Sequence, residues 1–357
     1  MNFDYNEEQQ LLADSVRRYL AKSYDFETRK KIVAGDGWSR DAWAQFAEMG
    51  LTGLPLGAEH GGFGGGAVDL LGVMEAFGEA LVVEPYLPVV VAARLIERGA
   101  SIAQKAALLP AVIEGRAKLA LAHSEKGARY ATDAVEMRAS GTKLSGDKSA
   151  VIGAPIADRF VVSARSGDGL ALFLVDRGAV DIKAHRTLDE RLAADLVLRE
   201  AAAEPLAGGS AALEEALDFA TALICAEAVG AMQYACDTTL EYLKTRKQFG
   251  VPIGTFQALQ HRMVDMYISL EQARSMACLA ASKADAAADA RERARAISAA
   301  KIKIADAARH ISQEAVQLHG GMGMSEELKV SHTFRRLTAI AREYGDADHH
   351  LARYAKL

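Results

Sequence analysis

The hydrophobic period of this chain changes twice, and that limits its fold more than any single motif. Up to residue 117 apolar side chains recur at helical spacing: Leu12, Val16 and Tyr19, then Trp43, Phe46 and Met49, then Leu70, Met74, Phe77 and Leu81. Steps of three and four return to one side of an α-helix, so each set forms a stripe that must be buried. From 118 to 206 the pattern becomes short apolar or β-branched runs: Arg159-Phe160-Val161-Val162, Leu170-Ala171-Leu172-Phe173-Leu174-Val175 and Asp195-Leu196-Val197-Leu198. Turn residues part them, as in Ser145-Gly146-Asp147 and Ser166-Gly167-Asp168-Gly169. Short strands at even spacing predict a small β barrel or sandwich. A linker, Glu204-Pro205-Leu206-Ala207-Gly208-Gly209-Ser210, then restores the helical period. Leu213, Leu217, Ala220 and Ile224 make one stripe, Leu259, Met263, Met266, Leu270, Ala273 and Ala277 a second, and Ile304, Ala308, Ile311, Ala315 and Leu318 a third.

Three or four long amphipathic helices in succession predict a bundle. The expected fold is mainly α with a central β domain: helical over 1–117, β over 118–206, and a helical bundle over 207–357. Strands and helices are segregated, which argues against a Rossmann α/β sheet. End signals agree with the periods. Asn6 precedes Glu7 and Glu8 and predicts a capped helix start, a second helix begins near Ser39, and Gly50 stops it.

At 357 residues the chain can bury a large core without disulfides or structural metals. Its 42 basic and 47 acidic residues give a net charge of −5, which argues against a nucleic-acid or anionic-membrane binder. Cys225, Cys236 and Cys278 are widely spaced and odd in number, so they predict buried thiols in a reducing cytoplasm. The start, MNFDYNEEQQLL, lacks the basic and apolar regions of a leader, and no membrane-spanning window is expected. The most apolar stretch, residues 87–96, is short and holds Arg94.

Three glycine-bearing segments are candidates for chemistry. GGFGGG at 61–66 loosely matches a dinucleotide fingerprint, but its flanks are helical, so it reads as an interhelical loop. In 245–261 one helix is expected to end near Gly250 and the next to begin near Thr255. Arg246 and Gln248 then sit at a helix end and Gln257 in a first turn, which suits a phosphate or equally a capped turn. In 317–327 a long helix ends at Gly320-Gly321, with Gly323 close by. Such glycines let backbone N–H groups approach a ligand, or simply cap the helix. Glu326 and Glu327 follow among Met322, Met324 and Leu328, where an apolar setting would raise a carboxyl pKa toward that of a general base. His261 reads as a core histidine, and His349-His350 lack the acid or thiolate spacing of a metal site.

Taken together, RKQFGVPIGTFQALQH and QLHGGMGMSEE on an α–β–α chain resemble the acyl-CoA dehydrogenase family. YDFE at 24–27, EYLKTRKQFGVPIG and GDADHHL resemble in particular the small subunits of bacterial two-subunit members of the pimeloyl-CoA type. The resemblance implies a helical N-terminal domain, a β barrel or sandwich, and a C-terminal four-helix bundle. It implies FAD and α,β-dehydrogenation of an acyl-CoA, with a dicarboxylyl-CoA among the substrates. A base removes the α-proton, a hydride passes to the flavin, and an electron-transfer flavoprotein accepts the electrons. It implies either a homo-oligomer or a heterotetramer with a larger acyl-CoA dehydrogenase subunit.

The same resemblance assigns roles. Glu327 is the implied base, and Ala220 stands where some relatives place theirs. Arg246, Gln248, Phe249, Gln257, Gln317, Gly320 and Gly321 are implied FAD contacts, and Ser124 the residue on the flavin ring. The chain departs from the family where T-E-P-G becomes Ser124-Glu125-Lys126-Gly127, where K-x-W-I-T-N becomes Lys148-Ser149-Ala150-Val151-Ile152-Gly153, and where E-G-T-x-Q becomes Tyr344-Gly345-Asp346-Ala347-Asp348. The missing Trp and Thr imply a subunit that shares its flavin site. The alternative reading is therefore a non-catalytic subunit that completes a partner's FAD site.

Overall fold

A computed structural model describes residues 5–167 and 169–357; Asp168 of the expected turn and the first four residues lie outside that set. In chain order the helices and strands are α1 (Glu7–Ser23), α2 (Phe26–Ala34), α3 (Arg40–Glu48), α4 (Ala67–Ala80), α5 (Tyr86–Gly99) and α6 (Ile102–Ile113). Then come β1 (Leu119–Ala122), β2 (Arg138–Ser140), β3 (Lys143–Ile152), β4 (Arg159–Ser166), β5 (Gly169–Asp176), β6 (Asp181–Arg186) and β7 (Leu192–Leu206). The chain closes with α7 (Gly209–Thr245), β8 (Lys247–Gln248), β9 (Val251–Pro252), α8 (Gln257–Ala286), α9 (Ala290–His319), α10 (Lys329–Ile340) and α11 (Ala347–Lys356). The α, β, α order is the one the changing period predicts. Two compact units form, one from Met1–Lys30, Ala67–Val82 and Thr221–Leu357, the other from Lys31–Gly66 and Val83–Ala220.

The first unit is helical. Asn6 caps α1 through a reciprocal box with Gln9, which satisfies amides that the first turn leaves free. In α1 the stripe residue Val16 is fully buried, with Ala13 and Leu20 beside it. α8 and α9 pack side by side, and α9 also packs on α10 and α11. Met266, Leu270, Ala273 and Ala277 of α8 and Ile304, Ala308, Ile311 and Ala315 of α9 are buried stripes. α7 holds an 18-residue apolar window that passes a membrane test by length and composition, against the expectation of no such window. Of that window 89% is buried within the protein, so α7 is a core helix. Cys225 and Cys236 lie buried on it, and Cys278 is half-buried on α8.

In the second unit the strand pairings close a ring. β4 pairs with β2, β2 with β3, β3 with β7, β7 with β5, and β5 again with β4. Closure leaves the five ring strands with a partner on either side. Alternate residues point inward, so Phe160, Val162 and Ala164 of β4 meet Phe173 and Val175 of β5 in one core. β1 runs parallel beside β4, with Leu121 opposite Val161, and β6 lies on the other side of β7. The GGFGGG loop is interhelical, as expected, between α3 and α4.

Three further expectations need correction. Ser145-Gly146-Asp147, expected as a turn, lies within β3. The helix expected to run to Gly250 ends at Thr245, and a short hairpin of β8 and β9 follows it. Phe249 and Gly250 take φ of 56° and 83°, the left-handed pair that a two-residue hairpin turn requires. His261 is exposed rather than part of the core.

Candidate FAD-binding site

The end of α7 and the end of α9 build one site in the first unit. The Arg246 amide donates to the Tyr242 carbonyl, and its own carbonyl accepts from the Ile253 amide across the hairpin. Its backbone is therefore fixed while its side chain is exposed and, among the described residues, has no carboxylate partner. Nearby Arg262 differs: its Nε donates to Glu314 Oε2 at 2.5 Å. Of these two arginines, Arg246 is the one whose charge has no carboxylate partner among the described residues.

α9 stops because Gly320 takes φ 61°, and a tight turn over Gly320–Met324 follows. A Cβ placed on Gly320 or Gly321 would meet nothing within 4 Å, so both backbones face open space. These groups line a cavity of about 540 Å³, together with Tyr242, Gln248, Gln317 and His319. His319 is 3% exposed, and its ring stacks on Tyr242 with centroids 4.5 Å apart. Its Nδ1–H donates to the Ala315 carbonyl at 2.7 Å. Burial holds its pKa down, so the ring is neutral and Nε2 is an acceptor. That Nε2 is buried without a hydrogen-bond partner among the described residues.

This donor set fits FAD. A pyrophosphate needs a cation and close backbone approach, which Arg246 and Gly320-Gly321 offer. The adenosine half carries amino and hydroxyl donors of the kind His319 Nε2 lacks. Gln248 and Gln317 are exposed and their amides have no partner among the described residues. His319 stands inside the motif QLHGG, yet nothing in the sequence marks it as the buried acceptor.

Other implied residues lie elsewhere. Phe249 is 89% exposed at the hairpin tip, edge-on to Phe256 at 6.0 Å. Gln257 is the first residue of α8 and exposed; neither it nor Phe249 lines the cavity. Glu327 does not line it either. Its amide donates to Ser325 Oγ at 3.0 Å, and its side chain is exposed. Among the described residues the expected apolar setting is not closed around it: Met322 and Met324 are 49% and 68% exposed, and Leu328 is half-buried. Glu326 is exposed too, and is paired with Arg335 at 2.8 Å.

Ser124 belongs to the other unit, where it follows β1 with an exposed side chain. Its neighbours form a buried polar cluster that the sequence pattern did not announce. Lys148 is fully buried, and its Nζ donates to Glu125 Oε1 at 2.6 Å, Ser163 Oγ at 3.0 Å and the His123 carbonyl at 3.2 Å. Burial lowers the ammonium pKa to about 8, opposed by Glu125. Burial alone would raise the Glu125 pKa; Lys148 and the amides of Glu136 and Met137 outweigh it and hold the carboxyl low.

The fold and the cavity together define a flavin-dependent dehydrogenase of three-part α–β–α type. Residues 207–356 match the model of the acyl-CoA dehydrogenase C-terminal domain, and residues 6–116 that of the N-terminal domain. The chain belongs to the acyl-CoA dehydrogenase family, whose cofactor is FAD. It is 31% identical to acyl-CoA dehydrogenase IpdE2 of Mycobacterium tuberculosis over 94% of this chain and 92% of that one. Among solved structures, the Tcur3481-Tcur3483 steroid ACAD shares 29% identity at a TM-score of 0.91, covering 98% of this chain and 97% of its own. The ChsE4-ChsE5 complex from Mycobacterium tuberculosis shares 25% at a TM-score of 0.91, covering 100% and 98%.

Proposed function

We propose that this chain is a subunit of an enzyme that desaturates the α,β-bond of an acyl-CoA thioester and passes the electrons to an electron-transfer flavoprotein. The observation that supports it most is Arg246, an uncompensated cation beside two open glycines over a cavity of about 540 Å³. Arg246, Gln248, Phe249, Gln257, Gln317, Gly320 and Gly321 would hold FAD, with Ser124 on its ring. When bound, FAD supplies the hydride acceptor. The chain's own part is to neutralise the pyrophosphate, offer amides and side-chain partners to the rest, and take a proton.

Glu327 is the candidate for that proton. An exposed carboxylate is a weak base, so a covering ligand or partner must desolvate it for the role. Glu327→Gln keeps the shape and removes the base. In the complete assembly, anaerobic flavin bleaching by an acyl-CoA should slow at least ~100-fold. Bleaching at the parental rate would move the base to another chain.

A second reading has a specific observation behind it: Glu327 lies outside the cavity and open to water. Under that reading the chain completes the FAD site of a larger acyl-CoA dehydrogenase subunit, in a heterotetramer, and the partner carries the base. Two of the similar solved structures, the Tcur3481-Tcur3483 steroid ACAD and the ChsE4-ChsE5 complex, are each named for two proteins. A colourless chain that gains flavin absorption only with a partner favours it.

A further inference from the structure

We propose that Lys148 is a positioning residue for Ser124, fixing the direction of the hydroxyl that the reading above places on the flavin ring. The inference rests on that reading for the role of Ser124, and on geometry for the rest. Lys148 and Ser149 are consecutive residues of β3 and grip three consecutive residues after β1. Lys148 Nζ holds the His123 carbonyl and the Glu125 carboxylate, and the Ser149 amide holds the Ser124 carbonyl at 2.8 Å. β3 thus holds the carbonyls of His123 and Ser124 and the side chain of Glu125, while the Ser124 side chain is exposed and has no partner among the described residues.

The ammonium is itself held rigidly. It has three donors, and Glu125 Oε1, Ser163 Oγ and the His123 carbonyl take all three. Because Ser163 Oγ accepts from Lys148, its own O–H is free to donate to His123 Nδ1 at 2.8 Å. Ser163 therefore ties the lysine to the histidine side chain as well as to its carbonyl. Glu125 in turn accepts the amides of Glu136 and Met137. One buried ion pair thus ties β3 to the loop after β1 and to the irregular segment just before β2. A fully buried pair is a poor source of stability, since desolvation offsets the attraction. Its use here is directional.

The test is a double-mutant cycle on the assembled, FAD-loaded protein, read by FAD affinity and by the visible flavin absorption bands. Lys148→Met is made together with Glu125→Gln, so that no buried charge is left alone. Ser124→Ala should weaken FAD roughly 2–10-fold, the range of one neutral hydrogen bond. The Lys148→Met/Glu125→Gln pair should weaken it by a similar factor and shift the bands in the same sense. Added to Ser124→Ala, the pair should have less than about a 2-fold further effect, because a positioning residue has nothing left to position. A purely structural role would multiply in both backgrounds. If the pair leaves affinity and bands at parental values while Ser124→Ala changes them, the positioning role is overturned and the reading of Ser124 stands. If Ser124→Ala is silent, both fall. Should the pair fail to fold, Ser163→Ala keeps the ion pair and removes one acceptor of the ammonium together with its tether to His123; its effect must likewise vanish in the Ser124→Ala background, or the proposal is wrong.

Discussion

His350 shows what burial does to a single side chain. Its Nε2–H donates to the Tyr344 carbonyl at 3.0 Å, and Nδ1 faces Ser298 Oγ at 3.3 Å. Both nitrogens are used by the neutral ring, and burial, then the Lys301 charge, push its pKa down to about 3. An unfolded histidine titrates near ~6.5. Between those values the unfolded chain binds a proton that the native one refuses, so stability present above pH ~6.5 is lost as pH falls. At pH 5 that loss is about 2 kcal/mol. Urea titrations at pH 7 and pH 5 should show the parent losing about 2 kcal/mol more than His350→Gln, which has no proton to gain; equal losses would refute the assignment. Arg246 makes the complementary case, a charge kept in the open. Removing it leaves a bound pyrophosphate without its cation, a loss of roughly 1.5–3 kcal/mol. Arg246→Ala should weaken FAD by roughly 10–100-fold, and retention of flavin through gel filtration equal to the parent's would show that the cavity serves another ligand.

Between elements, the closest approach is made by two glycines. A Cβ on Gly78 of α4 would fall well inside contact with the Glu227 carbonyl of α7, and a Cβ on Gly230 of α7 inside contact with the Glu75 carbonyl of α4. The two helices touch backbone to backbone at that crossing. In a free helix, Gly→Ala stabilises by about 1 kcal/mol. Here the sign reverses, because the new methyl must push two long helices apart. Gly78→Ala should destabilise by at least ~1–3 kcal/mol by thermal or urea unfolding, the usual range for overpacking. A raised melting temperature would mean that the helices do not meet there. Neither glycine stood out in the sequence, although the stripes that carry α1, α3, α4 and α7–α9 did. α2 was silent for a related reason: its buried residue is Arg29, whose Nε donates to the Leu81 carbonyl, so no apolar stripe exists to read. The β8–β9 hairpin escaped because Phe249, a poor residue for positive φ, holds a turn position that favours glycine or asparagine. Ring closure of the barrel depends on which strands pair, and alternation within a strand carries no such information.

For the whole molecule, what was legible follows from how local each signal is. Domain order could be read from the period, and two segments that line one cavity, at the ends of α7 and α9, from motif. The environment of Glu327 could not, since whether a methionine covers a carboxylate depends on packing by other parts of the assembly. All nine implied site residues, Ser124, Arg246, Gln248, Phe249, Gln257, Gln317, Gly320, Gly321 and Glu327, are exposed in the single chain. Large apolar side chains on the same unit are exposed with them: Val264, Tyr267 and Ile268 on α8, besides Phe249, Met322 and Met324. Each such side chain costs about 1.5–3 kcal/mol relative to full burial, so an associated state gains wherever a second chain covers them. A cofactor bound beside that surface is completed by the same covering. Cofactor and partner should therefore stabilise each other, and by mass action each raises the apparent affinity of the other. Sedimentation velocity with detection of flavin absorption tests this directly. The flavin should travel only with species of two or more chains, and stripping FAD should shift the protein toward slower species. A slow boundary of single chains carrying a full complement of FAD would show that one chain closes the site by itself, and that its exposed apolar face serves some other end.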